Sequence, residues 1–268
     1  MNHPQDSIVV GIDGSDAAIN AAKWAVPEAV SRDIPLRLIH AIPRSADAPA
    51  GDESLDVEYA EMALHGAASA LHAMDEAVKV ETEIVPKSPG SALVDESRSA
   101  AMVCVGSVGI GRVARKLLGS TAETVARKAH CPTAIIRNGQ KDVPDPPWIA
   151  VVVDDSPAND AVLEQGFREA HLRGAPILAM GVWRWGLGEI PYEQLNRRLD
   201  RWVSQYKDLH VQPAAARQGV VEFLTRTAEP IQLAVVGSDD AGDVARMVGP
   251  VTFHVPHRDG HSVLVVPK

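Results

Sequence analysis

The sequence predicts an α/β protein of two tandem domains, each a mostly parallel five-stranded sheet flanked by helices. Two observations carry this: the chain repeats itself, and each copy alternates short apolar runs with segments of helical spacing. Asp13 to Ile42 aligns without gaps on Asp154 to Trp183 at an offset of 141, with Asp13/Asp154, Ser15/Ser156, Ala17/Ala158, Glu28/Glu169, Ala29/Ala170, Arg32/Arg173 and Pro35/Pro176 coinciding. Ala101 to Ser107 matches Gln232 to Ser238 at an offset of 131, so the second copy is about ten residues shorter in its middle.

In the first copy, Ile8 to Ile12, Pro35 to Ile42, Val80 to Val85, Met102 to Gly106 and Thr133 to Arg137 are short runs rich in β-branched residues and read as buried strands. Between them, Ala18, Ala22, Ala25 and Ala29 form one small-residue stripe at helical spacing, and Ala122, Val125, Ala126 and Ala129 form another. Pro27 falls inside the first helix and removes a hydrogen bond there, which predicts a kink or a broken turn. Pro43 to Val57, with Pro43, Pro49 and Gly51, reads as a loop, an inert connection ahead of a lid. Asn138 to Pro147, with Gly139, Pro144, Pro146 and Pro147, reads as a linker, giving domains at 1–140 and 146–268.

Among 268 residues, 46% are hydrophobic and 23% charged, so general disorder is excluded and a core needs no disulfide scaffold. Counting 26 basic against 35 acidic residues gives a net charge of −9, which disfavours broad binding to nucleic acid. The polar start at Met1 to Ser7 lacks the pattern of a signal peptide, and no apolar run approaches the roughly 18 residues of a membrane span, so a cytoplasmic location is expected. Cys104 and Cys131 have no CxxC or histidine at ligand spacing and read as packing residues.

In an open parallel sheet, ligands lie beyond the carboxyl ends of the strands. Gly11-Ile-Asp-Gly-Ser15 follows the first strand, and Gly106-Ser-Val-Gly-Ile-Gly-Arg112 follows the fourth, with Gly119-Ser120-Thr121 opening a helix. Glycines at 106, 109 and 111 are expected to allow positive φ and close approach, making an anion cradle of backbone N–H groups. The exposed amides of the helix start favour an anion, and Arg112, Arg115 and Lys116 add local positive charge to an acidic protein. Two plainer readings stand beside this one. Ser120 and Glu123 have the spacing of a capping box, and Asp13 has that of a helix cap.

The combination Gly106-x2-Gly109-x9-Gly119-Ser120, after a Val-Gly-Ile-Asp-Gly-Ser opening and before Cys-Pro and a last apolar strand, resembles the ATP-binding branch of the universal stress protein family. The likeness covers essentially the whole chain as two copies, similar to the tandem forms of mycobacteria. It implies an adenine nucleotide alpha hydrolase-like fold, ATP at the strand ends as a regulatory ligand, and pairing of domains, with a homodimer expected. Gly11 and Asp13 then match the adenosine-side turn and Ala41 the adenine wall. Gly106, Ser107, Val108, Gly109, Ile110, Gly111 and Arg112 match the ribose and phosphate loop, Lys116 a phosphate-reaching base, and Gly119, Ser120 and Thr121 the phosphate-binding helix start.

The second copy departs from this pattern. Asp155 replaces the counterpart of Gly14, Asp240 that of Gly109, and Pro250 that of Ser120, and the spacer before Gly249 is one residue short. Asp239, Asp240 and Asp243 would face a polyanion unless Mg²⁺ intervened, and Pro250 offers no donor. One ATP per chain is expected, in the first half.

No nucleophile with its base, paired carboxylates or metal triad is legible, so no catalytic residue is assigned and no metal site is expected. His40, His65, His72, His130, His171 and His210 are scattered singly, and Pro256 argues for a loop around His254, His257 and His261. The leading expectation is an ATP-binding regulator acting on an unidentified protein partner, without membrane or nucleic acid. The alternatives are a weak ATP hydrolase or adenylating enzyme, and a scaffold with no nucleotide.

Overall fold

The computed structural model describes residues 7–43, 52–74, 77–109, 118–137, 147–182, 192–249 and 261–268, and the chain divides into two compact units, Met1–Asn138 and Gly139–Lys268. Residues 138–146 of the expected linker and 44–51 of the expected loop lie outside the described residues.

The first unit runs β1 (Ile8–Gly11), α1 (Asp16–Arg32), β2 (Leu36–Ala41), α2 (Asp52–His72), β3 (Val80–Val85), α3 (Pro89–Glu96), β4 (Met102–Gly106), α4 (Ser120–Lys128), β5 (Thr133–Ile136). Its strands lie in the order β3-β2-β1-β4-β5, each neighbouring pair parallel. The chain leaves β1 toward β2 on one side and returns from β3 to β4 on the other, so the strand order reverses between β1 and β4. Such a reversal opens a crevice at the strand ends.

Burial explains the elements. Ile8, Val9 and Val10 of β1 are wholly buried, as central parallel strands covered on both faces must be. β3, at the end of its row, instead shows Thr82 and Glu83 to solvent, which discourages further pairing. Ala18, Ala22, Ala25 and Ala29 are buried along α1, and the small stripe brings that helix close to the sheet. A Cβ on Gly106 would lie 2.7 Å from both Cβ and the carbonyl carbon of Ala17. Buried Glu28 pairs with Arg32 at 3.1 Å, and its repeat counterpart Glu169 pairs with Arg173 at 3.0 Å.

Two expectations are corrected here. α1 runs unbroken through Pro27. The carbonyl that this proline leaves without its helical partner belongs to Lys23, an exposed residue, so water can meet it while the buried alanines hold the helix. Residues 52–57 are helical, not loop: α2 begins at Asp52, and the small and acidic residues that marked a loop in sequence are compatible with a helix start.

The second unit runs β6 (Trp148–Val153), α5 (Asn159–Arg173), β7 (Ile177–Gly181), α6 (Tyr192–Gln205), β8 (Val211–Ala215), α7 (Val220–Arg226), β9 (Ile231–Gly237), a 3₁₀ turn (Ser238–Asp243), α8 (Val244–Val248), β10 (Ser262–Val266). Its parallel strands lie in the order β8-β7-β6-β9-β10, the same winding as in the first unit. Pro213 is tolerated because β8 ends its row. Phe167 of α5 stacks on Trp202 of α6 with ring centroids 5.9 Å apart, binding those helices through aromatic area.

Both cysteines are buried, and burial pushes the Cys131 thiol up to about 12. No described helix is long and apolar enough to cross a membrane.

Candidate functional site at the ends of β1 and β4

β1 delivers the chain into a tight turn. The Ser15 N–H donates to Asp13 Oδ1 at 3.0 Å, and Ser15 Oγ accepts from the Ala18 N–H at 3.2 Å, so Ser15 caps α1 and Asp13 fixes the cap. Asp13 is thus not the cap itself. Gly14 has φ +86°, a conformation in which a Cβ is strained, and it is exposed.

β4 ends against this turn. A Cβ on Gly109 would collide with Asp13 Oδ2, so the absence of a side chain at 109 lets the backbone reach the Asp13 carboxylate. The expectation of positive φ is corrected: neither Gly106 nor Gly109 adopts it. Gly106 accommodates α1, Gly109 accommodates Asp13, and close approach is the reason for glycine at both.

The start of α4 joins them. The Gly119 N–H donates to the Ser107 carbonyl at 2.9 Å, and a Cβ on Gly119 would lie 3.8 Å from the Gly109 nitrogen. Gly119 is the N-cap and Ser120 the first helical residue, with no side-chain cap. This corrects the capping box, because the helix begins too early for Ser120 to cap it, and Glu123 is directed instead to Arg127 at 3.5 Å. The first intrahelical bond runs from the Glu123 N–H to the Gly119 carbonyl, so the amides of Ser120, Thr121 and Ala122 have no intrahelical acceptor. They make an anion-accepting end beside Gly109.

Of the expected residues, Gly11, Asp13, Ser107, Val108, Gly109, Gly119, Ser120 and Thr121 gather at this junction of β1, β4 and α4. Ala41 ends the neighbouring β2, and the Ile12 N–H donates to the Ile39 carbonyl at 2.8 Å, which ties that strand end to the turn. Ile110, Gly111, Arg112, Arg115 and Lys116 lie outside the described residues. Tyr59 escaped the sequence reading, and His40 entered it only as a scattered histidine. His40 and Tyr59 meet edge to face with centroids 5.9 Å apart, and the Tyr59 hydroxyl donates to the Asp13 carbonyl at 3.0 Å. Only the tertiary placement of α2 brings Tyr59 here, so no local motif marks it. Burial lowers the His40 pKa, against smaller opposing effects of the Ile12 carbonyl and of Asp13 and Asp56.

The second unit treats the same turns differently. The Ser156 N–H donates to Asp154 Oδ1 at 2.9 Å, preserving the Asp13 turn. Buried Asn159 then inserts, accepting from the Asp154 N–H at 3.2 Å and donating to the Val152 carbonyl at 2.9 Å. At 141 residues' offset its counterpart is Ala18, which offers no such group. Arg198 of α6 donates to the Ser156 carbonyl at 3.3 Å and pairs with Asp160 at 2.9 Å. After β9 the chain winds directly into the 3₁₀ turn, burying Asp240, while Asp239 pairs with Lys268 at 2.8 Å and Asp243 with Arg246 at 3.0 Å. Pro250, His254 and His257 lie outside the described residues; His261 is buried, its Nδ1 3.0 Å from the Ile231 carbonyl. No group of three or more metal-ligating side chains occurs among the described residues.

The Universal stress protein family model matches residues 5–137. Over 263 residues the chain is 48% identical to the universal stress protein Rv2624c of Mycobacterium tuberculosis, covering 97% of this chain and 96% of the relative. It is 37% identical to Rv2028c of the same organism, covering 99% and 98%. A crystal structure of a universal stress protein from Archaeoglobus fulgidus superposes with a TM-score of 0.71 at 17% identity, covering 99% of this chain and 97% of that one, a likeness of fold.

Proposed function

This chain belongs to the universal stress protein family, and on that premise we propose that its first unit binds an adenine nucleotide, ATP, as a regulatory ligand. The single observation that carries the reading is the contact of the Asp13 carboxylate with the backbone at Gly109, beside the uncapped start of α4 at the reversal of strand order. A carboxylate acceptor suits ribose hydroxyls or an exocyclic amine. The amides of Ser120, Thr121 and Ala122, which have no intrahelical acceptor, suit phosphate oxygens, each charge-assisted hydrogen bond contributing about 1.5–3 kcal/mol.

In this reading Asp13 and the Gly11 turn hold the adenosine end and Ala41 borders the base. Gly109, Gly119, Ser120 and Thr121 receive the phosphates, with Arg112 and Lys116 supplying positive charge from the loop between. Mg²⁺ accompanies the phosphates. The second unit binds no nucleotide, since Asn159 engages the Asp154 amide and Lys268 and Arg246 engage Asp239 and Asp243. ATP acts by changing loop order and thereby affinity for a protein partner, without turnover, in a cytoplasmic homodimer.

Mass spectrometry of the small molecule released from freshly purified protein tests the reading, followed by calorimetric titration of the emptied protein with ATP. One adenine nucleotide site per chain is expected. Two comparable sites, or none, refute it.

A further inference from the structure

Tyr59 is remote in sequence from every glycine turn, yet it touches the first of them. Its hydroxyl donates to the Asp13 carbonyl at 3.0 Å, and a Cβ on Gly14 would come 2.5 Å from that oxygen. Its ring stands at 70° to that of His40, the residue before Ala41 at the end of β2. Tyr59 is nonetheless 42% exposed, so this ring is held at its hydroxyl end and along one edge while part of it remains open. An aromatic ring fixed in this way has already lost its rotamer freedom, and a ligand that meets it has less ordering to impose.

The second unit supplies the contrast. There the corresponding reach, from the helix after the second strand to the turn after the first, is made by Arg198, locked onto the Ser156 carbonyl and Asp160. Among the described residues, the reach is made in the first unit by a partly open ring beside Gly14 and in the second by a guanidinium. A purely structural brace needs no ring, as Arg198 demonstrates.

We propose that Tyr59 is a base-positioning residue of the nucleotide site, its ring forming with His40 and Ala41 the seat of the adenine. The inference rests on the nucleotide-binding reading of the first unit. Aromatic stacking is indifferent to the phosphates, so Tyr59 contributes equally to the binding of adenosine, AMP and ATP.

Wild type, Tyr59→Phe and Tyr59→Leu are titrated by calorimetry with adenosine, AMP and ATP, and by fluorescence with 2-aminopurine riboside triphosphate, whose emission is quenched by stacking. Tyr59→Leu is expected to weaken all three ligands by one common factor, about tenfold or more, and to abolish the quenching. Tyr59→Phe keeps the ring and loses only the Asp13 tether, so it retains the quenching and loses about fivefold or less. A half-exposed position tolerates both changes, and far-UV circular dichroism with the thermal midpoint verifies the fold. Tyr59→Leu binding as tightly as wild type, or losing ATP far more than adenosine, overturns the proposal. Should wild type bind none of the three ligands, the nucleotide reading itself fails and this inference falls with it.

Discussion

Gly109→Asp imports into the first unit the residue that the second carries at the matching place, Asp240. The new Cβ collides with Asp13 Oδ2, so the added carboxylate must turn away from Asp13, and the proposed function puts it beside the phosphates at the start of α4. Two unit charges about 4 Å apart repel by about 1 kcal/mol in water and about 4 kcal/mol at an effective dielectric of 20. Gly109 is half-buried, which puts the loss of ATP affinity between those limits, roughly fivefold to several hundredfold at about 1.4 kcal/mol per tenfold. Calorimetry on Gly109→Asp and Gly109→Asn separates charge from bulk. The asparagine variant should weaken adenosine and ATP by similar factors, whereas the aspartate variant should weaken ATP much more, with an excess that shrinks as salt is added. Unchanged ATP affinity in Gly109→Asp, or equal losses of adenosine and ATP, would refute the placement of the phosphates.

Three further outcomes follow from the packing and charge of the two units. Asn159→Ala removes two buried hydrogen bonds, from the Asp154 N–H and to the Val152 carbonyl, and should destabilise the protein by about 1–3 kcal/mol in urea titration; an unmoved midpoint would contradict the assignment. Asp33 ends α1 in the left-handed region at φ 53°, where its repeat counterpart is Gly174 at φ 60°. Asp33→Gly should therefore stabilise by about 0.5–1 kcal/mol, and Gly174→Ala, with open space around the new methyl, should destabilise by about 1 kcal/mol through backbone strain alone. His40 has its pKa lowered by burial, so the unfolded chain takes up its proton first: the contribution is intact above the ordinary value of 6.5 and is lost as pH falls through the folded value. Urea midpoints at pH 7.5 and 5.5 should draw closer together in His40→Gln than in wild type, and an identical pH dependence would exclude His40 as its source.

Much of the fold was legible because β1, β4 and β5 are buried, mostly apolar runs that alternate with alanine stripes, the pattern of a parallel sheet covered on both faces. The repeat added a second, independent statement of the same pattern. Pro27 misled because a local rule about a lost hydrogen bond says nothing of which face the orphaned carbonyl occupies. The glycines of the site were found for an incomplete reason. Spacing marks where side chains are excluded, but only the folded contacts of Gly106 with Ala17 and of Gly109 with Asp13 reveal that close approach, not backbone handedness, excludes them. Tyr59, Asn159 and Arg198 were illegible because each acts on a turn that lies in another part of its unit's sequence or through a bond that no motif encodes.

The second copy's departures from the motif are more than an accumulation of losses. The second unit's turns are braced by side chains that the first unit does not carry at the matching positions. Asn159 takes the Asp154 amide, Arg198 takes the Ser156 carbonyl and neutralises Asp160, and the loop after β9 closes into helical turns that bury Asp240. A strand-end turn in a parallel sheet carries polar backbone groups that must be satisfied by something, and a ligand and a side chain are alternative solutions to the same requirement. On the proposed reading, a unit that binds no nucleotide is stable only if its sequence supplies such partners itself. Conversely, on the same reading, building a nucleotide site there requires removing Asn159 and opening the 3₁₀ turn together with replacing Asp240. Changing Asp240 alone to glycine leaves the turn amides occupied and should yield no second ATP site, which calorimetric stoichiometry would reveal directly.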